Sequence, residues 1–502
     1  MNETPLVPQP LLDWFGIWPG QAGRDEKGHA WLQDPPRGIR LRVQPARKSE
    51  VFMRPQPPWD KNRLSHMMML SEEGRLRMWY EETTSNEHSG HLIQYAESSD
   101  GFDWDFPELG LYQHQGSTAN NIICDAEYFN IHSLFRDPTA APQERYKAIE
   151  ARGQLYRRGQ SVPNDRQTKM EIREVRKAMQ LNGYAPEEID AEASIRHQLR
   201  GAVSADGLRW KVLEKPLYDA GHTQLDTQNI AAYDEDTGEY MAFLRGNLER
   251  RRSVRRTGGT QFGNWHPTRL VLTVGAHDAP DEDIYTSCYC RCPGSRRHLM
   301  FPTIYHRLSS TLDIQLASSR DGWLWHRTRP EPIITLDADD AEYGAIYASP
   351  NLVPLGDEWG LPLLCYYQRH DGGGAFLASA ERPLSEYRWA LWKPDRLVAL
   401  EAPVEGQFSM VERLCQGVVL RLNFKTEQGG WIKVGLAHRP TTPASPLEEL
   451  EGFGLEDCEV LDGDHVSRVV TWKGRSDLAA LKGRDLSLRF HLARARLFSV
   501  AI

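Results

Sequence analysis

Short apolar or alternating runs, each bounded by Gly, Asp or Pro, fill the chain from about residue 51 to 395. His66-Met67-Met68-Met69-Leu70, Leu76-Arg77-Met78-Trp79-Tyr80 and His91-Leu92-Ile93-Gln94-Tyr95-Ala96 open the series. Tyr240-Met241-Ala242-Phe243-Leu244 and Leu363-Leu364-Cys365-Tyr366-Tyr367 continue it. Their length and their β-branched and aromatic content predict strands joined by tight turns. An insert at about 154–199 breaks the texture: Ile172, Val175 and Met179 recur at helical spacing, which predicts a helix over 165–179. Asn182-Gly183 ends that helix and Pro186 opens a second. A small helical hairpin on the rim of a β structure follows, placed to shape a cleft or to mediate contacts. Beyond Trp392-Lys393-Pro394, the runs 417–424, 430–436 and 486–492 predict a C-terminal β-sandwich over 396–502. Residues 1–50, rich in Pro, Trp and Arg, read as an extended lead-in that packs against the body.

A phrase recurs within the strand-rich region. Ser98-Ser99-Asp100-Gly101-Phe102-Asp103-Trp104 returns as Ser204-Ala205-Asp206-Gly207-Leu208-Arg209-Trp210 and as Ser318-Ser319-Arg320-Asp321-Gly322-Trp323-Leu324-Trp325. Worn copies are Gly258-Gly259-Thr260-Gln261-Phe262-Gly263-Asn264-Trp265 and Ser379-Ala380-Glu381 running on to Trp389. Once the insert is allowed for, the period is about 60 residues, the mark of a β-propeller blade. Five copies predict five blades. The Asp-Gly pair suits a tight hairpin, and the Trp tucks into the gap between blades. The fold class is therefore all-β: a five-bladed β-propeller over 51–395, a C-terminal β-sandwich and a small helical insert.

Composition narrows the function. The 502 residues are 40% hydrophobic and 26% charged, with a net charge of −9, so nucleic acid is not the expected partner. The basic run Arg250-Arg251-Arg252 with Arg255-Arg256 reads as a solvated loop between two strands. No apolar run approaches a membrane span, and Met1-Asn2-Glu3-Thr4-Pro5-Leu6 has no signal-peptide core, so a cytoplasmic protein is expected. Seven Cys do not make a disulfide framework. Cys288, Cys290 and Cys292 alternate, which on one strand puts them on a single face as packed thiols. No metal motif stands out, no cofactor is expected, and the oligomeric state is not legible.

In a propeller the starts of the innermost strands converge on one end of a central funnel. With the Trp phrase near the outer hairpin, the next inner strand begins some 15 to 20 residues downstream. That window holds Asp226 before Ile230-Ala231-Ala232, Asp283 before Ile284-Tyr285-Thr286, and Glu342 before Ala345-Ile346-Tyr347. Blade one offers Trp59, Asp60 and His66; blade two offers Asn120 and Asn121, then a run carrying His132. Three carboxylates at matched positions suit glycosidic chemistry: one acid for the leaving oxygen, one base or nucleophile, and one to hold hydroxyls or tune a pKa. Asp226, Asp283 and Glu342 are the catalytic candidates. His132, Asn121, Asn229, Arg245, Tyr285 and Arg320 are the substrate-binding candidates, with carbohydrate as the partner. Strand caps and turns use the same residue types, so a non-catalytic carbohydrate-binding propeller is the alternative. A protein-interaction scaffold and a sialidase rank below these.

The predicted blades, carboxylate set and sandwich resemble the clan of furanoside-active hydrolases containing families 32, 43 and 68. Ala96-Glu97-Ser98-Ser99-Asp100-Gly101, Gly116-Ser117-Thr118-Ala119-Asn120-Asn121, Glu144-Arg145-Tyr146-Lys147 and Phe301-Pro302-Thr303-Ile304-Tyr305 are similar to a family-32-like bacterial group. Gly454-Leu455-Glu456-Asp457-Cys458 and Val470-Thr471-Trp472-Lys473-Gly474 extend that likeness. It implies a glycoside hydrolase acting on a furanoside or a related glycan; calcium in the central channel is conceivable, because family 43 relatives often hold it there. The chain departs from family 32 in lacking its Trp-Met-Asn-Asp-Pro-like nucleophile motif and its Glu-Cys acid motif. Arg136-Asp137-Pro138 matches the family's Arg-Asp-Pro in letters, but follows an apolar strand and precedes Thr139-Ala140-Ala141-Pro142.

Overall fold

The computed structural model describes residues 7–24, 27–55, 63–83, 91–328, 331–336, 344–366, 385–438 and 447–502. The chain divides into two compact units, one of residues 47–292 and 296–391, the other of 1–46, 293–295 and 392–502.

The first unit is a succession of antiparallel meanders. The first runs Arg63–Glu72, Arg75–Thr83, His91–Ser98, Ile122–Asp125; the second Ser133–Arg136, Tyr146–Arg157, Ala193–Ser204, Lys211–Val212. The third runs Ile230–Asp234, Glu239–Leu248, Arg251–Gly259, Arg269–Leu272. The fourth is cut in two along its length. Glu282–Thr286 pairs with Thr303–His306, and Tyr289–Arg291 pairs with His298–Met300. Between these pieces Cys288 has a φ of 40°, a left-handed bulge. The expected Cys288-Cys290-Cys292 strand face is therefore interrupted, although all three thiols are buried and outside any disulfide. In the fifth meander, Ala345–Ala348, Glu358–Tyr366 and Ser385–Trp392 are completed by Arg47–Lys48, which pairs with Ala390 and Leu391.

Each meander touches the next, and the fifth returns to the first strand of the first, which closes a propeller ring. The core lies between neighbours. Trp79, Tyr95, Phe129 and Leu134 join the first two meanders; Leu199, Leu225, Leu244 and Trp265 join the next pair; Phe243, Tyr289, Met300 and Trp325 join the third to the fourth.

The recurring phrase is a turn with a second function. The Gly101 N–H donates to Ser98 Oγ at 2.8 Å, and Asp100 Oδ1 accepts from the N–H groups of Phe102 and Asp103 at 2.8 and 2.9 Å. Ser204 and Asp206, then Ser319 and Asp321, repeat the pattern. The central glycines need a positive φ, from 68° to 83°, which side chains disfavour. Each turn also accepts a hydrogen bond from a neighbouring meander. Trp79 Nε1 donates to the Gly207 carbonyl at 2.7 Å, Trp389 Nε1 to that of Gly101 at 2.9 Å, and Arg256 Nη1 to that of Asp321 at 3.2 Å. Trp389 is thus not a fifth phrase Trp. It sits in mid-strand and receives another meander's turn. Ser379-Ala380-Glu381 lies outside the described residues.

The second unit carries the C-terminal β-sandwich. Arg421–His438 and Asp485–Ala501 pair along most of their length, with register shifts near Phe424 and Trp431. Val398–Ser409 adds to Asp485–Ala501, and the N-terminal Arg40–Val43 pairs with Val398–Glu401. Leu422, Phe424, Val434, Leu436, Leu488 and Leu492 fill the interior. Among the described residues no helix is long and apolar enough to cross a membrane.

Candidate active site

A polar cavity of about 490 Å³ opens in the propeller unit where the first strands of three meanders begin. Ser65 and His66 come from the start of Arg63–Glu72, Asn130 and His132 from just before Ser133–Arg136, and Gln224–Thr227 from just before Ile230–Asp234. The rest of the lining comes largely from the insert. Tyr146–Arg157 and Ala193–Ser204 are long strands that contribute Leu155, Ile195 and His197, and α1 (Arg166–Leu181) contributes Lys169, Arg173 and Arg176.

Local sequence accounts for this wall. Asp165 caps α1, accepting from Thr168 N and Thr168 Oγ1 at 2.8 Å each. Ile172 is buried, and Gly183 ends the helix at a φ of 77°. In α2 (Pro186–Glu192), Glu188 Oε2 accepts from Ala185 N at 2.8 Å, and Asp190 pairs with Arg176 Nη1 at 2.5 Å. The helical hairpin read from the sequence is present, and it lines the cavity.

Five histidines face this space: His66, His91, His132, His197 and His222. Burial, with His66 next, pulls the His132 imidazole down to about 4, so it is neutral near pH 7. Burial also lowers His66 and His197. Glu81 contacts His91 Nδ1 closely. Burial alone would raise the Glu81 carboxyl; the His91 hydrogen bond and the His91, His66 and His132 rings outweigh it and hold it below its ordinary value. Asp226, with 59% of its side chain exposed, is ion-paired to Arg245 Nη1. Arg245 is buried and lies over the Tyr285 ring at 4.4 Å.

The candidate residues separate. Asp226 and His132 line the cavity. Arg245 orients Asp226, and Tyr285 is the platform beneath it. Asn229 is a brace rather than a binding group: fully buried, it donates to the Leu225 and Thr227 carbonyls at 3.0 and 2.8 Å, and its Nδ2 lies 3.2 Å from His132 Nδ1. Asn121 donates to Tyr80 Oη and the Tyr95 carbonyl at 3.0 and 2.8 Å, and is not among the cavity lining. Arg320 is exposed in the phrase turn after Ala317–Ser319, away from the cavity. Trp59, Asp60 and Glu342 lie outside the described residues.

Asp283 has a different environment from Asp226. It is fully buried and bonds Arg251 Nε at 2.9 Å, Arg252 Nη1 at 3.1 Å and Arg307 Nε at 2.8 Å. It does not line the cavity. This cluster also revises the basic run. Arg251–Gly259 is a strand, Arg250 sits at its turn with a φ of 66°, and Arg256 is buried, stacked on Trp323 at 3.9 Å. Arg251 and Arg252 serve the buried Asp283 instead of solvent.

Asp137 follows the far end of Ser133–Arg136. It is buried and accepts from Tyr240 Oη at 2.5 Å and from Thr139 N at 2.9 Å, a turn-stabilising role. Glu81, His91, His197, Lys169 and Arg173 are cavity residues that the sequence window missed, because they lie on second and third strands and on the insert.

Among the described residues no group of three or more His, Cys, Asp or Glu is arranged to hold a metal ion. Calcium prefers several oxygen ligands, whereas the cavity offers imidazoles and two carboxylates already engaged with His91 and Arg245. The residues present therefore do not fit calcium.

No family model and no curated protein matches the chain. Among solved structures, the complex of BT0996 with RGII is 12% identical, with a TM-score of 0.43 over 70% of this protein and 93% of that one. A thermostable family-43 glycoside hydrolase is 11% identical, with a TM-score of 0.40 over 70% and 96%. The GH32 β-fructofuranosidase of Bombyx mori is 8% identical, with a TM-score of 0.40 over 92% and 93%. Likeness this loose carries neither fold nor activity. The fold stands on the strand pairing, and the site on the cavity.

Proposed function

We propose that this chain is a glycoside hydrolase and that its cavity binds a glycan and cleaves a glycosidic bond, with Asp226 and the Glu81–His91 pair as the reacting groups. The observation that carries this reading is Asp226 itself: a carboxylate held by a buried arginine, with more than half its side chain open to a polar cavity at the strand starts. Pairing with Arg245 fixes the carboxylate at the cavity, the placement a base or nucleophile acting at the anomeric carbon needs. The hydrogen-bonded Glu81–His91 pair would serve the leaving glycosidic oxygen as donor. His132, neutral and braced by Asn229, offers a ring nitrogen to sugar hydroxyls. A furanoside is the first class to test, because the blades, carboxylates and sandwich expected from the sequence resemble the furanoside-active clan, and the phrases Ala96–Gly101 and Gly116–Asn121 a family-32-like bacterial group.

The test is turnover of aryl furanosides, fructans and arabinans by wild type, Asp226→Asn and Glu81→Gln. Each substitution is expected to lower kcat by about 100-fold or more in protein whose cooperative melting shows that it is folded. A wild-type rate in Asp226→Asn overturns the assignment. Binding without turnover by the wild type would instead identify a carbohydrate-binding propeller.

A further inference from the structure

The insert helix holds two cations that the fold itself does not use. Lys169 and Arg173 are one turn apart on α1, and both line the cavity. Among the described residues neither side chain has a hydrogen bond or an ion pair. Arg176, the third cation of α1 at the cavity, is committed: its Nη1 bonds Asp190 at 2.5 Å and the Ala193 carbonyl at 2.6 Å. The cavity carboxylates are committed as well, Asp226 to Arg245 and Glu81 to His91.

Three physical points give this arrangement a direction. Like charges four residues apart on a helix repel, so the Lys169–Arg173 pair works against α1. Lys169 is partly buried, and burial, with Arg173 next, lowers its ammonium below the usual value; a desolvated cation gains from a counter-ion. The chain as a whole carries a net charge of −9, so unpaired positive charge at one cavity wall runs against its overall composition.

We propose that α1 is a specificity element whose Lys169 and Arg173 bind an anionic substituent, a uronate carboxylate or a sulfate ester, on the glycan held in the cavity. The proposal rests on the glycan-cleaving reading and names the class of glycan. Arg173 offers a planar fork to two oxygens, and Lys169 a compact charge beside it.

Calorimetric titration of the full chain tests it. The probes are an oligogalacturonide, a sulfated chondroitin oligosaccharide, and neutral fructo- and arabino-oligosaccharides. The proteins are wild type, the Lys169→Gln/Arg173→Gln double variant and the charge-keeping Lys169→Arg, with melting temperatures to verify folding. At least one acidic probe is expected to bind wild type about tenfold or more tightly than the neutral ones. That ratio is expected to collapse in the double variant, to persist in Lys169→Arg, and to shrink as salt rises from about 50 to about 500 mM. Preference for the oligogalacturonide alone assigns the carboxylate; preference for the chondroitin probe that is lost when its sulfate is removed assigns the sulfate. Equal affinities, or a preference that survives the double substitution, overturn the proposal. If neutral glycans are cleaved without any acidic preference, the specificity proposal falls and the hydrolase reading stands. If no probe binds, both fall.

Discussion

Three guanidinium groups converge on the Asp283 carboxylate, which has no exposed surface. Removing the charge from such a cluster leaves three part-exposed guanidinium groups around a buried neutral side chain, at a cost of about 1 to 3 kcal/mol. Asp283→Asn is therefore expected to lower the urea midpoint, and Asp226→Asn to lower it as well, because the buried Arg245 loses its counter-ion. A wild-type midpoint in Asp283→Asn would contradict the placement of Asp283. Two histidines give a second residue-scale expectation. Burial holds His132 at about 4, and burial followed by Arg291 holds His298 at about 4. Both are neutral in either state above about pH 6.5; below it the unfolded chain takes up the proton first, so stability falls until about pH 4. Each contributes about 3 kcal/mol to that loss. Urea midpoints at pH 7 and pH 4.5 should differ accordingly, and His298→Gln should flatten the slope. Asp226 and Asp283 also mark where the sequence stops informing. Both stand at a fitting distance after a phrase Trp, yet the arginines that claim Asp283 come from the preceding meander's hairpin and from Arg307, which no local spacing reveals.

At the scale of elements, the phrase turn is the most informative unit. The Gly207 φ is 78°, and a Cβ there would lie 2.8 Å from the Trp79 ring. Gly116 has a φ of 83° with nothing within 4 Å. Gly116→Ala should cost only the left-handed backbone penalty, about 1 kcal/mol, and Gly207→Ala about 1 to 3 kcal/mol more, because the ring must shift. Chemical denaturation of the two variants checks this. The turn was legible because Ser, Asp and Gly act within a few residues of one another. Its lock onto Trp79, Trp389 or Arg256 was not, since those partners lie far away in sequence. The helix pair was legible from Ile172, Val175, Met179 and Asn182-Gly183 for the same local reason. That α1 faces a cavity depends on the length of the two strands carrying it, Tyr146–Arg157 and Ala193–Ser204, which periodicity alone did not give.

For the propeller unit as a whole, closure depends on Arg47–Lys48 pairing with Ala390 and Leu391, with the Ser49 N–H donating to the Trp389 carbonyl at 2.9 Å. Deleting residues 1–50 would leave Ser385–Trp392 as an open edge, which favours strand addition between molecules. Light scattering should report self-association of the truncated chain; a monodisperse monomer with an unchanged urea midpoint would contradict this role. The repeat made the meander architecture legible because every copy is built from contiguous chain. The cavity was only partly legible, because His66, Glu81, His132, His197 and Asp226 reach it from three meanders and from strands of different rank.

The partners of the closing pair are separated by about 340 residues of chain. At the ribosome's pace of roughly 5 to 20 residues per second, the early strand waits about 20 to 70 seconds for its mate to emerge. The nascent protein thus carries an unmatched ribbon for that whole interval, and the sheet it belongs to can be finished only once Leu391 has emerged.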